Sequence, residues 1–357
     1  MRKSALGVVI SLFVLMAFAP AAHAEKSSKT KASAKRHAHK KPVKHKAEPT
    51  PVRHASLRKA VATHGRHRAA YQHVAYTQPV SSLRPTLTVG DVAGLNMTRD
   101  VLGLKSNAAV VIDQNSSQVL FEKNAAVSLP IASLTKLMTS MIVVEAQQNM
   151  DEVLEVTADD IDREKNSSSR LRVGSRMTRA NMLHIALMSS ENRAASALGR
   201  NYPGGLPAFV AAMNAKAREL GMHDTHYVDS TGLSSRNVAS ARDLAKLVIA
   251  AHMHPIICEY STDGKYAVNA GGYVLQYMNS NRLVMNSNWD IGLQKTGYIS
   301  EAGRCLVMQT TIDGRPVVMV FLDSKGKDSR LADAGRIRRW LESAKPTVLT
   351  QVASHQS

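Results

Sequence analysis

The chain has 357 residues, a formal net charge of +18 and only two cysteines. That length supports a sizeable core, as one large domain or two lobes, and two cysteines exclude a disulfide-stapled scaffold. The charge does not describe a uniformly basic protein. Residues 25–85 carry 15 of the 46 Lys+Arg against two acidic residues, Glu25 and Glu48, and the chain from residue 86 onward is nearly neutral.

Residues 1–24 read as an export signal. Arg2 and Lys3 come first, an apolar run covers residues 6–18, and Ala22-His23-Ala24 forms a small-x-small cleavage site before Glu25. The run is short for a membrane span, so the mature chain is expected outside the cytoplasm, in the periplasm. Residues 25–88 form a basic tail rich in Lys, His, Ala, Ser and Pro. Such a composition buries too little surface to offset ordering entropy, and disorder is expected. Two readings stay open for the tail: a solvated spacer, or a segment drawn to an anionic wall polymer or lipid. Export argues against nucleic acid as a partner. Seven of the 14 His lie in the tail without metal-ligand spacing.

The folded part is expected over 89–344. Residues 107–113 and 118–122 read as strands around a turn at Gln114-Asn115-Ser116. Pro130 precedes a helical pattern over 134–147, with Leu137, Met138, Met141, Ile142 and Val144 apolar. Residues 153–156 are short and extended. Helices follow over 179–188 and 193–200, with Ser190-Glu191-Asn192 between them, and over 206–220, stopped by Gly221. Another runs from Ser240 or Arg242 to His252 and ends before Pro255. Residues 291–297 and 304–312 read as strands, Asp313-Gly314 as a hairpin turn, 315–322 as the returning strand and 331–343 as an amphipathic helix. Residues 345–357 are a short polar tail with no second apolar or amphipathic segment, so no C-terminal membrane anchor is expected. Strands at both ends and helices between them predict an α+β fold, with one antiparallel sheet, an inserted helical lobe and a cleft between the two. An oxidising compartment would permit a Cys258–Cys305 bridge, but Cys305 lies in an apolar strand-like run and reads as a buried thiol, and the pairing is left open.

Three short motifs stand in order: Ser133-Leu134-Thr135-Lys136, Ser190-Glu191-Asn192 and Lys295-Thr296-Gly297. Together they match the parts of an active-site serine enzyme that uses lysine as its base. Taken singly they are weak. Ser-x-x-Lys occurs four times, at Ser28–Lys31, Ser56–Lys59, Ser133–Lys136 and Ser324–Lys327, and Ser-x-Asn recurs at Ser235-Arg236-Asn237. Only Ser133 opens an apolar helix, where Lys136 shares its face and the helix start offers unpaired N–H groups. Only Ser190 sits between two helices. For each serine a plain helix cap is the alternative. Lys-Thr-Gly occurs once, at the end of a strand pattern, where Gly297 permits close approach of a backbone or ligand.

Further stretches extend the match: Leu187-Met188-Ser189-Ser190-Glu191-Asn192-Arg193-Ala194-Ala195, Met213-Asn214-Ala215-Lys216-Ala217, Leu220-Gly221-Met222 and Thr231-Gly232-Leu233. With them the chain resembles the low-molecular-mass D-alanyl-D-alanine peptidases. Within that family it is most similar to the endopeptidases of the penicillin-binding protein 7 type, over residues 108–341. The resemblance implies a serine β-lactamase/DD-peptidase-like fold, with a five-stranded antiparallel sheet flanked by helices. It also implies a penicillin-binding serine endopeptidase that opens D-Ala–diaminopimelate cross-links of peptidoglycan through an acyl-enzyme. A carboxypeptidase trimming terminal D-Ala is the alternative with the same residues, and a non-catalytic wall-binding protein is a third reading. Peptidoglycan peptides are the expected partners and β-lactams the expected covalent inhibitors.

On this reading Ser133 is the nucleophile and Lys136 its base. A free lysine, with a pKa of about 10.4, is protonated at neutral pH, so burial and the like charge of Lys295 are expected to depress it. Ser190 would pass a proton to the leaving amine, Asn192 would hold the substrate amide and Thr296 would bind the carboxylate region. The resemblance further implies an oxyanion hole made by the backbone N–H groups of Ser133 and Tyr298. Nothing in the scheme calls for a metal or cofactor. No Glu-x-x-Leu-Asn stretch follows Ser190, the feature that a resemblance to class A β-lactamases would require for a fast deacylating water, so slow release of a bound β-lactam is expected.

Overall fold

The computed structural model describes residues 87–343. The expected export signal, the basic tail up to residue 86 and the C-terminal polar tail lie outside those residues. The described chain enters through one helical turn, α1 (Val89–Val92). Thr88 caps it reciprocally: its Oγ1 accepts from the Asp91 N–H, and the Asp91 carboxylate accepts from the Thr88 N–H.

Strands β1 (Ser106–Asp113) and β2 (Val119–Lys123) follow. After β3 (Leu129–Pro130) comes a 3₁₀ turn, Ala132–Leu134, which runs directly into α2 (Thr135–Glu145). The helical lobe continues with the short pair β4 (Val153–Glu155) and β5 (Arg176–Thr178), then α3 (Arg179–Met188), α4 (Asn192–Arg200) and α5 (Gly205–Glu219). It ends with β6 (Val238–Ala239), α6 (Ala241–His252), α7 (Pro255–Thr262) and the hairpin β7 (Lys265–Asn269) and β8 (Val274–Met278). The chain then returns as β9 (Asp290–Ile299), β10 (Gly303–Ile312) and β11 (Arg315–Ser324), and the described part closes with α8 (Ser329–Ser343).

The sheet order is β2-β1-β11-β10-β9, antiparallel throughout, with Val110 opposite Val320, Val320 opposite Val307 and Val307 opposite Lys295. The first and last strands of the fold therefore pair as the sequence predicts, and the helical lobe is an insertion between β2 and β9. β1 is apolar on both sides because both of its faces are covered. Ala108 and Val110 join the core under the helical lobe, and Ala109 and Val111 join the smaller core beneath α8, with Ala334 and Ile337. Of these, Val110, Val111 and Ile337 each contribute about 1.5–3 kcal/mol when fully removed from water, and the alanines about 1 kcal/mol or less.

Nine of the 11 residues of α2 are buried, which makes it a central helix rather than a surface one. Its N-terminal end, with the turn before it, points at β9, the edge of the sheet. Pro255 does not only follow α6: it is the first residue of α7, where its missing N–H is harmless. Lys295-Thr296-Gly297 lies inside β9 rather than at its end, since pairing with β10 continues to Ile299. Cys258 and Cys305 are both free thiols. Among the described residues no helix is long and apolar enough to cross a membrane.

Candidate active site

The turn at Ala132–Leu134 is held between two glycines. A Cβ on Gly297 would lie 2.9 Å from the Ile131 carbonyl oxygen and 3.2 Å from the Ser133 nitrogen. On Gly232, at φ +81°, it would lie 1.9 Å from the Ala132 carbonyl oxygen. The close approach expected at Gly297 is thus backbone against backbone, and it seats the sheet edge beside Ser133. Ala132 itself takes a left-handed φ of 50°. Neither this turn nor α2 has a side-chain cap, so Ser133 is not a capping serine.

Instead, Ser133 Oγ accepts a hydrogen bond from Lys136 Nζ at 2.9 Å. Lys136 also donates to Asn192 Oδ1 at 2.7 Å and to the Thr231 carbonyl at 2.6 Å. The side chain is 1% exposed. Burial lowers its pKa to about 7, against the upward pull of the carboxylates of Asp229, Glu191 and Asp162. Near neutrality a large fraction of Lys136 is therefore an amine, with two N–H groups and one lone pair. Asn192 Oδ1 and Thr231 O can only accept, so they take the two N–H groups. The lone pair is left facing the one partner that has a proton to give, the Ser133 hydroxyl. The depression expected from the like charge of Lys295 is not what acts on Lys136. That effect falls on Lys295, which is fully buried and pushed well below the usual lysine range by burial, then by Lys136, then by Arg330.

Ser190 occupies the turn between α3 and α4 with a φ of 63°. The cap of α4 is its neighbour Glu191, whose carboxylate accepts from the Arg193 N–H, so the Ser190 hydroxyl is free for other work. It accepts from Lys295 Nζ at 2.9 Å, and Lys295 donates a second bond to the Thr296 carbonyl at 2.8 Å. Asn192 opens α4. Its Nδ2 donates to Ser167 Oγ at 2.9 Å, which leaves one amide N–H for a ligand. The Thr296 hydroxyl shares a 2.6 Å hydrogen bond with Ser280. Tyr298 turns its ring outward, 57% exposed, beneath the Arg304 guanidinium. A cavity of about 390 Å³, lined by Ser168, Ser169, Arg170 and residues 189–192, opens beside Ser190.

The structure thus gathers Ser133, Lys136, Ser190, Asn192, Lys295, Thr296 and Gly297 into one cleft between the helical lobe and the edge of the sheet. The arrangement suits acyl transfer: a hydroxyl next to a buried amine, and a second hydroxyl next to a second buried amine. The Ser-x-x-Lys copy at Ser324 does not form such a pair, because its hydroxyl donates to Ser329 Oγ. The copies at Ser28 and Ser56 lie outside the described residues.

Three contributors escaped the sequence reading. Thr231 supplies only a carbonyl, fixed by Asp229, whose carboxylate accepts from the N–H groups of Thr231, Gly232 and Ser234. Ser167 belongs to a run of serines with no pattern of its own. Arg330 of α8 is buried, with no hydrogen-bond partner for Nε or Nη1, and burial lowers its pKa.

Comparisons with known proteins bear on the family and the fold. A family model described as D-alanyl-D-alanine carboxypeptidase matches residues 96–326. The chain is 47% identical over 263 residues to a D-alanyl-D-alanine endopeptidase of Pseudomonas aeruginosa, covering 73% of this chain and 84% of that one. It is 45% identical over 244 residues to a D-alanyl-D-alanine endopeptidase of Escherichia coli, covering 68% and 79%. Among solved structures it is similar to a Streptomyces DD-transpeptidase, with a TM-score of 0.62 and 26% identity over 69% of this chain and 99% of that one. It is also similar to a penicillin-binding protein of Listeria monocytogenes in its cefotaxime-bound form, with a TM-score of 0.60 and 27% identity over 68% and 98%.

Proposed function

Since the chain belongs to the D-alanyl-D-alanine carboxypeptidase family and is a serine-type D-Ala-D-Ala peptidase, we propose that it acts as an endopeptidase on D-Ala–diaminopimelate cross-links of peptidoglycan, in the periplasm. The observation that carries the chemistry is the buried Lys136, held by two carbonyl acceptors with its remaining valence toward Ser133. The endopeptidase reading is supported by the names of the relatives at 45–47% identity.

Ser133 Oγ attacks the D-Ala carbonyl carbon while its proton moves to Lys136. The developing oxyanion lies against the backbone N–H groups of Ser133 and Tyr298, where each donor is worth about 3–4 kcal/mol of barrier. Lys136 gives that proton up, by way of Ser190 in its contact with Lys295, to the departing diaminopimelate amine, and the C–N bond breaks to leave the acyl-enzyme with Lys136 again an amine. Water then attacks the ester, Lys136 accepts its proton and returns it to Ser133 Oγ as the C–O bond breaks, which releases the D-Ala carboxyl group and restores Ser133. Asn192 offers its free N–H to a substrate carbonyl. Thr296, Lys295 and the unmet N–H groups of Arg330 form a donor-rich corner for the carboxylate next to the scissile bond, with the charge supplied by Arg330, and Gly297 keeps the strand edge close enough to the serine turn for this. β-Lactams acylate the same serine and leave slowly. The basic tail, drawn to anionic wall polymer or lipid, would tether the enzyme. Its binding to anionic vesicles should fall steeply with salt, and equal binding after deletion of residues 25–85 would exclude that role.

The test incubates the purified protein with cross-linked peptide dimers and pentapeptide monomers and separates the products by chromatography. Cleavage of dimers is expected, with fluorescent penicillin labelling that disappears in Ser133→Ala. Loss of terminal D-Ala from monomers with dimers intact would overturn the endopeptidase reading in favour of a carboxypeptidase.

A further inference from the structure

Beyond Gly297, strand β9 continues through Tyr298 and Ile299 and turns at residues 300–302 into β10. β9 is the edge of the sheet, so an extended peptide can lie along it with main-chain hydrogen bonds, its side chains alternating between the two faces. Tyr298 and Arg304 stand directly opposite each other on β9 and β10. They therefore share a face, the one that continues along β10 to Leu306 in the core beneath α8. On that face a cavity of about 440 Å³ is lined by Tyr298, Ser300 and Arg304 together with Thr88, Asp91 and the segment 324–327.

The charges of this cavity do not balance. It is lined by Arg304, Lys325 and Lys327 against one carboxylate, Asp91. That carboxylate is already engaged: Oδ1 pairs with Lys325 at 2.6 Å and accepts from Asn107, and Oδ2 accepts from the Thr88 N–H. Among the described residues Arg304 and Lys327 have no ion-pair partner. The Arg304 guanidinium is not loose, however. It stacks over the Tyr298 ring with 4.5 Å to the centroid, a contact that limits its freedom, and it lines the cavity. Ser300 lies at the rim with its hydroxyl already donating to Glu301 Oε2, and the other oxygen of Glu301 is held by Lys165. From Gly297 to Ser300 is three strand residues, about 10 Å at the rise of a β-strand.

The geometry points to a second recognition site for the same substrate: a subsite in which Arg304 and Lys327 bind a carboxylate of the stem peptide two or three residues from the scissile carbonyl. This rests on the peptidase reading above and adds a specificity element to it. An acidic stem is selected over an amidated one, and the selection is made well away from the nucleophile. Lys325, held by Asp91, contributes charge to the wall but is not the free partner.

The test uses the full chain and four synthetic peptides, a cross-linked dimer and a pentapeptide monomer, each with the carboxylates two or three residues from the scissile carbonyl either free or amidated. For whichever peptide is cleaved, kcat/KM should favour the free acid by about tenfold or more, as expected for a charge-assisted contact, and the preference should shrink with added salt. Arg304→Gln combined with Lys327→Gln should bring the ratio close to one. Arg304→Lys should keep part of it, and Lys327→Gln alone, on an exposed loop, should lower it severalfold. Equal wild-type rates on acid and amide overturn the subsite, as does a wild-type ratio in the double variant. Cleavage of monomers only would remove the endopeptidase reading while the acid-to-amide ratio still decides the subsite. Cleavage of neither peptide class would overturn both.

Discussion

Ser190-Glu191-Asn192 and Ser235-Arg236-Asn237 repeat one spacing in two settings. Asn192 is half-buried at the start of α4. Its Oδ1 takes a hydrogen bond from Lys136, and one of its N–H groups has no partner. Asn237 is fully buried. Its Oδ1 accepts from the N–H groups of Val228 and Asp229, and its Nδ2 donates to Thr135 Oγ1 and the Asp229 carbonyl. Every bond of Asn237 goes to the protein, and together they fix the loop that brings Thr231 O to Lys136. The two amides therefore serve the same amine, one by contact and one through a loop. What separates a chemical site from a structural one here is unused hydrogen-bonding capacity facing a cleft, not residue type.

The largest expected effect comes from removing the amine on which both loops converge. Lys136→Ala should slow penicillin acylation by about 10³-fold or more while leaving the sheet and its two cores in place. Stopped-flow acylation alongside circular dichroism measures both. A variant that still acylates within tenfold of wild type would mean that Ser133 has another base.

Next is the contact loop. Asn192→Asp puts a carboxylate where Oδ1 now lies 2.7 Å from Nζ, and a close opposite charge favours the ammonium by about 1–3 pKa units. In the wild type the neutral amine gains population as pH rises through about 7, so the acylation rate should climb across that pH and level off above it. In Asn192→Asp the same climb should move to higher pH, with an acylation loss at pH 7 of about 10- to 100-fold that alkaline buffer largely restores. A pH–rate profile of the variant that coincides with the wild-type one would disconnect Asn192 from the base.

The structural loop should respond in the opposite manner. Asn237→Ala strands buried N–H and C=O groups at residues 228–229 and the Thr135 hydroxyl, at a cost of about 3 kcal/mol, or a Tm lowered by about 10 °C for a domain of this size. Its pH profile should keep the midpoint of the wild type. If thermal unfolding instead left Tm unchanged while the midpoint moved, Asn237 would belong to the chemistry and the contrast between the two loops would collapse.

Much of this contrast is legible in the sequence, and the missing part has a physical reason. The five strands could be read because β1, β10 and β11 are apolar on both faces and Asp313-Gly314 marks their hairpin. Gly221 ends α5 at a φ of 67°, as its position after the periodic run predicts. α7 is not legible in the sequence, because Pro255, which marks a stop for α6, is also a favourable first helical residue. The β7–β8 hairpin was passed over although Gly271-Gly272 sits between its strands. In the site, Ser133, Lys136, Ser190, Asn192 and Lys295 announce themselves by side-chain type and order. Thr231 acts through a carbonyl that any residue has. Arg330 lies on a helix that also carries Arg336, Arg338 and Arg339, and only packing against β10 distinguishes the buried arginine from the solvated ones.

The smallest effect is expected at Tyr298, and it tests the other side of the cleft. The ring is exposed and stacked under Arg304, whereas the role proposed for this position belongs to its backbone N–H, which an alanine retains. Tyr298→Ala should therefore change penicillin acylation by no more than about threefold, far less than the two to three orders of magnitude that follow loss of an oxyanion donor. The N–H could be removed only by Tyr298→Pro, and proline within a strand also removes a sheet hydrogen bond if that N–H faces β10. A pair of measurements resolves this. If Tyr298→Ala acylates normally and Tyr298→Pro keeps its Tm but loses acylation, the N–H faces the cleft. If Tyr298→Pro loses Tm and acylation together, the N–H belongs to the β9–β10 ladder, and the oxyanion donor on this strand must be sought at another residue.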